Sequence, residues 1–114
     1  MDLQATESRE RKHDVERMAG NAQRATDFLK ALAHESRLMI LCILTEGEKS
    51  VSELEELLSL RQPTVSQQLA RLRAEGLVDA RRNGKNIYYS LARSEVRDVI
   101  GALHDAFCRP RKAR

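Results

Sequence analysis

The sequence predicts a mainly α fold with one small β-hairpin, a winged helix-turn-helix. Three observations in its second half predict it. Ser50-Val-Ser-Glu53 is a capping box, Gln62 to Arg73 is an amphipathic run with an uncharged polar outer face, and Asn83-Gly84 separates two strand-like stretches. They occur in the order helix, turn, helix, hairpin.

The elements can be justified in turn. Residues 1–20 are polar and charge-mixed and read as an N-terminal extension that frays or prolongs a helix. Ala25, Phe28, Leu29 and Leu32 then recur at helical spacing, which predicts a first helix from about Asn21 to Leu32. Ala33-His34-Glu35-Ser36 breaks it, with His34 as a cap or surface residue. Arg37 to Thr45 is almost wholly apolar and predicts a second helix that stops at Glu46-Gly47. In the capping box the Ser50 hydroxyl and the Glu53 carboxylate satisfy orphan amides where a third helix begins, and Val51, Leu54 and Leu58 face inward. Ser59-Leu60-Arg61 is a short turn. Pro63 suits the first turn of the next helix, where its missing N–H has no partner to lose.

That fourth helix carries the chemistry. Val65, Leu69 and Leu72 lie at i, i+4 and i+7 and mark its buried stripe. At about 100° per residue, Thr64, Gln67 and Arg71 occupy the opposite face, flanked by Ser66 and Gln68, with Gln62 at the start. A face built only for solubility would carry Glu and Lys. Amide and hydroxyl groups instead match the donor and acceptor pattern of base edges in a major groove. Gly76 is a left-handed helix stop. Asn83-Gly84 signals a tight hairpin with positive φ at both turn positions. Arg81, Arg82 and Lys85 flank its tip, where a wing would touch phosphates or enter a minor groove. A last helix begins near Arg93–Glu95, keeps Val96, Val99, Ile100, Leu103 and Phe107 on one stripe, and ends before Pro110. Residues 110–114 form a basic tail.

Composition sets bounds. The 114 residues make one domain over residues 21–109. The longest apolar run, Leu38 to Leu44, is seven residues, far short of the roughly 17–25 of a membrane span. No secretion signal opens the chain, so a cytoplasmic location is expected, and Cys42 and Cys108 do not form a default structural disulfide. Formal charge is 0 over residues 1–30, −4 over 31–60, +4 over 61–92 and +3 over 93–114. Positive charge thus collects on the polar-faced helix, the wing and the tail, as on a phosphate-binding surface. A solvated surface with chance asymmetry is the plainer reading of charge alone. No Cys-x-x-Cys, phosphate loop or paired carboxylates suggest an enzyme, and no cofactor is expected.

Together these motifs resemble the arsenic-repressor (ArsR/SmtB) family of winged-helix regulators. The resemblance rests on Leu29-Lys-Ala-Leu-Ala-His-Glu-Ser-Arg-Leu-Met-Ile-Leu41, Gln62-Pro-Thr-Val-Ser-Gln-Gln-Leu69, Leu72-Arg-Ala-Glu-Gly-Leu-Val78 and Arg82-Asn-Gly-Lys-Asn-Ile-Tyr-Tyr-Ser-Leu91. It implies five or so helices plus wing, and a homodimer through the first and last helices. It also implies binding to double-stranded operator DNA, relieved by an inducer. Metal-sensing members place cysteines where this chain has Ser50 and Ser52, and an Asp/His set on the last helix that here reads Arg93-Ser94-Glu95 and Ala106-Phe-Cys-Arg109. Neither site is reproduced, and no metal ligands are assigned.

The two cysteines remain. Cys42 could be a small core residue, but its helix row, Glu35, Met39, Cys42, Glu46, has carboxylates at both ends and predicts a solvent border. Cys108 lies one position past the apolar stripe, on the row Arg97, Gly101, His104, Cys108. Nearby Arg109, Arg111, Lys112 and His104 would favour its thiolate. Resemblance to the sulfide- and persulfide-responsive subgroup implies that reactive sulfur species join Cys42 to Cys108 as a disulfide or polysulfide and so control sulfide-oxidation genes. A general oxidant sensor and a metal sensor are the alternatives within the family; a thiol enzyme and a winged-helix module that binds only protein are those of other classes, the latter opposed by the Gln67/Arg71 face and the basic wing.

Overall fold

A computed structural model describes residues 3–108, with side chains described for residues 4–107. The chain forms α1 (Leu3–Leu32), α2 (Glu35–Leu44), β1 (Lys49–Ser50), α3 (Val51–Leu58), α4 (Gln62–Ala74), β2 (Val78–Asn83), β3 (Asn86–Leu91) and α5 (Ser94–Leu103), followed by a π-helical turn (His104–Cys108). It divides into two compact units, one ending at Ala31 and the other beginning at Leu32.

The first unit is α1. It starts far earlier than the expected Asn21 and passes through Gly20 without a break. A mid-helix glycine costs roughly 1 kcal/mol relative to alanine, which does not terminate a helix rich in Ala, Glu, Arg and Gln on both sides. Local pairs along its surface support it, including Arg17 with Asp14 at 3.4 Å and Arg24 with Asn21. The second unit holds the remaining helices and a three-stranded antiparallel sheet of order β1-β3-β2. Its core is the inward stripe of each helix. Ile40 and Leu41 from α2, Leu54 from α3, Val65, Leu69 and Leu72 from α4, and Ile100 from α5 are fully buried.

Local chemistry sets the ends of these elements. His34 occupies the N-cap position of α2 in extended geometry, and its Nδ1 lies 2.9 Å from Ser36 Oγ. The capping box of α3 is complete: the Glu53 amide donates to Ser50 Oγ at 3.2 Å, and the Ser50 amide donates to Glu53 Oε1 at 3.1 Å. Ser59 ends α3 in the left-handed conformation, and Gly76 follows α4 with φ 75°.

Two further expectations need correction. Asn83 pairs with Asn86 as the last rung of the hairpin, so the turn is Gly84-Lys85 rather than Asn83-Gly84. Only Gly84 has positive φ, at 65°. A two-residue loop with glycine first is the II′ arrangement, and it moves the turn one residue along the chain from the expected I′ turn, so that Arg82 pairs with Ile87 rather than Lys85. The apolar stripe of the last helix also does not continue in phase. Val96 and Ile100 are buried, but the α-helix gives way to a π turn at His104, and Phe107 is 81% exposed. An i→i+5 turn takes an extra residue, so positions beyond it rotate off the earlier stripe.

Candidate nucleic-acid interface and thiol recess

The helix-turn-helix places α4 with its apolar stripe sealed inward. Gln62, Thr64, Gln67 and Arg71 are exposed, while Ser66 and Gln68 are half-buried at the edges. Arg71 Nε lies 3.7 Å from Glu75 Oε1, a loose surface pair that leaves the guanidinium accessible. A groove of about 420 Å³ separates the starts of α3 and α4 from the wing, and Ser52, Gln62, Ser66, Lys85, Asn86 and Tyr89 line it together with Glu55. Ser52 and Asn86 carried no sequence signal, because only the fold brings the hairpin to the start of α3. Ser50 is committed to its cap. Among the described residues no cluster of three metal-binding side chains occurs.

The three wing cations are not equivalent. Arg82 and Lys85 are exposed, and among the described residues neither is in an ion pair. Arg81, grouped with them in the sequence, differs in having an ion-pair partner. Its Nε donates to Glu48 Oε2 at 3.2 Å and its Nη2 to Glu48 Oε1 at 2.5 Å, with the guanidinium carbon 5.2 Å from the centre of the Tyr88 ring. The hydrogen bond from Arg81 holds the Glu48 carboxyl below its ordinary range; loss of solvent opposes this and the Arg81 charge adds to it. The same hydrogen bond raises Arg81 further above its ordinary value. The partners lie 33 residues apart, so no local pattern could have paired them.

Cys42 is more buried than its helix row suggested, at 5% exposure. It lies against a shallow recess of about 220 Å³ lined by Met39, Cys42, Ile43, Glu46 and His104. The predicted row is therefore present, with Met39 and Glu46 lining the recess beside the thiol and His104 of the π turn lining it as well. His104 opens the π turn that ends at Cys108, and its Nδ1 lies 3.7 Å from Asp105 Oδ1. The Cys108 side chain, and with it the expected span between the two thiols, lies outside the described residues, as does the basic tail at 110–114.

A buried-stripe helix with an amide and hydroxyl face, set beside a basic two-stranded wing, defines the class: a winged-helix DNA-binding regulator. The comparisons agree. Residues 34–80 match the model of the arsR family of bacterial regulatory proteins, and the chain belongs to that family. It is 52% identical over 91 residues to the biofilm growth-associated repressor of Agrobacterium fabrum, covering 77% of this chain and 78% of the relative. It is 42% identical over 95 residues to the transcriptional activator HlyU of Vibrio cholerae, covering 83% and 88%. Among solved structures, the transcriptional repressor BigR from Xylella fastidiosa superposes with a TM-score of 0.78 at 43% identity, covering 87% of this chain and 98% of that one. Reduced HlyU from Vibrio cholerae also gives 0.78, at 43% identity over 82% and 98%.

Proposed function

We propose that the chain is a dimeric repressor that reads an operator with α4, holds phosphates with its wing, and is released when reactive sulfur species link Cys42 to Cys108. Gln62, Thr64, Ser66, Gln67, Gln68 and Arg71 supply base-edge and flanking contacts, while Arg82 and Lys85 supply phosphate contacts. Similarity to proteins named as biofilm growth-associated repressors supports the repressing direction.

The observation that carries the switch is the shared recess. Cys42, on α2, and His104, at the start of the turn that ends at Cys108, line one cavity. A cationic or hydrogen-bonding neighbour favours the thiolate of a cysteine, and the imidazole of His104 lines the same recess as Cys42. The chemistry balances without a further oxidant. Each thiolate takes the outer sulfur of a low-molecular-weight persulfide and releases a thiol. Two protein persulfides then condense to a trisulfide with loss of hydrogen sulfide, or one condenses with the second thiol to a disulfide with the same loss. Either bridge ties α5 to α2, which contacts α4, and so reaches the reading helix. Control of sulfide-oxidation genes follows from that choice of inducer.

Intact-protein mass after persulfide and, separately, after peroxide tests the reading. Added sulfur within one subunit after persulfide, with operator release, is the expected result. Cys42→Ser and Cys108→Ser should each bind the operator normally and ignore persulfide. Release of either single variant by persulfide would refute the switch, and equal response to peroxide would make the protein a general oxidant sensor.

A further inference from the structure

We propose that Glu48 and Arg81 are positioning residues for DNA binding: the pair straps the wing to the segment that leaves α2, and Arg81 acts through the wing's orientation rather than through a DNA contact of its own. The base of the wing is held in the core by Val78 and Leu91, which are buried opposite one another, but Arg81 through Ile87 are exposed. Beside that outer part the body offers β1, which contributes only two residues, pairing Lys49 with Tyr89 and Ser50 with Tyr88. Strand β2 is the far edge of the sheet and, among the described residues, has β3 as its only strand neighbour.

Arg81 is directly opposite Tyr88, and Tyr88 is directly opposite Ser50. The three therefore form one row across the sheet, with side chains on one face. Glu48 lies two residues before Ser50. Its carboxylate takes both donors of the Arg81 fork, and the guanidinium lies over the Tyr88 ring on the intervening strand. The contact thus crosses all three strands and joins the free edge of the wing to the loop that follows α2. Bidentate geometry fixes direction as well as distance, and the ring beneath restricts the guanidinium plane. Arg82, one residue on, points to the other face, so holding Arg81 fixes the side from which Arg82 is presented.

The sign of one substitution distinguishes this role from a phosphate contact. Near DNA, removing a carboxylate strengthens binding if charge alone matters, and freeing Arg81 would strengthen it again. The strap requires the opposite. Glu48→Ala, Arg81→Ala and the double variant should each bind operator DNA roughly twofold to fivefold more weakly than wild type, with the double no worse than either single. The salt slope of Glu48→Ala should match wild type. The proposal is overturned if Glu48→Ala binds as well as or better than wild type while Arg81→Ala weakens binding and flattens the log–log salt slope by about 0.9, the loss of one phosphate contact. Glu48→Gln, which keeps the side-chain volume, serves as the second variant if alanine lowers the melting temperature, and it must weaken binding in the same direction.

Discussion

Gln67 and Arg81 show how far single residues can be read. The exposed face of α4 followed from periodicity alone: once Val65, Leu69 and Leu72 were inside, Gln67 had to be outside. Replacing Gln67 with Ala should cost roughly 1–3 kcal/mol on the operator and much less on random DNA, since a base contact carries sequence information. A competition titration measures both, and an equal loss would move the reading face elsewhere. Arg81 was legible as a wing cation but not as half of a pair, because its partner is distant in sequence. The pair also fixes a pH dependence. The folded Glu48 binds its proton less readily than the unfolded one. Its contribution is therefore complete above the ordinary glutamate range and is lost only as pH falls through the lowered native value. The ratio of wild-type to Glu48→Ala affinity should stay flat between about pH 6 and pH 8, which titrations across that range would check.

At the scale of elements, the helix-turn-helix was legible because its signals are local: a capping box, an early proline and a three-residue apolar stripe. The hairpin was legible as a hairpin but misplaced by one residue. Asn83-Gly84 and Gly84-Lys85 are both acceptable two-residue turns, and pairing with β1 and the core, through Val78 opposite Leu91, selects the second. The choice has a consequence, because moving the turn by one residue moves every cross-strand partner by two, so that Arg81 faces Tyr88 rather than Asn86. Gly84, at φ 65°, holds the observed register. Gly84→Ala should destabilise the turn by about 1–2 kcal/mol, raise amide exchange across β2 and β3, and weaken operator binding without altering the melting of the helices. Asparagine, which tolerates the left-handed region, should do less harm at the same place. The π turn had no sequence signal, since it departs from the very periodicity used to trace the helix.

At the scale of the whole molecule, the decisive feature is the apolar surface left on the first and last helices. On α1, Val15, Met18 and Leu29 are 61%, 66% and 56% exposed, and on α5 and its π turn Val99 and Phe107 are 39% and 81% exposed. With Ala22 and Ala25, the α1 residues fall at 15, 18, 22, 25 and 29, the alternating three- and four-residue spacing of a helix seam. The spacing is unneeded in a helix that stays solvated, and a long helix draws most of its stability from burying one face. A second copy of the chain is the partner we infer, since a two-fold pair would also present two α4 helices to successive turns of one duplex face. Burying such a side chain fully contributes about 1.5–3 kcal/mol, and two-fold symmetry counts each one twice. Met18→Glu with Leu29→Glu should therefore give monomers at micromolar concentration by sedimentation. The unit from Leu32 onward should keep its melting transition, because its core residues are untouched. Operator binding should weaken steeply and become second order in protein. A variant that still sediments as a dimer would exclude α1 from the interface and leave Val99 and Phe107 to carry it.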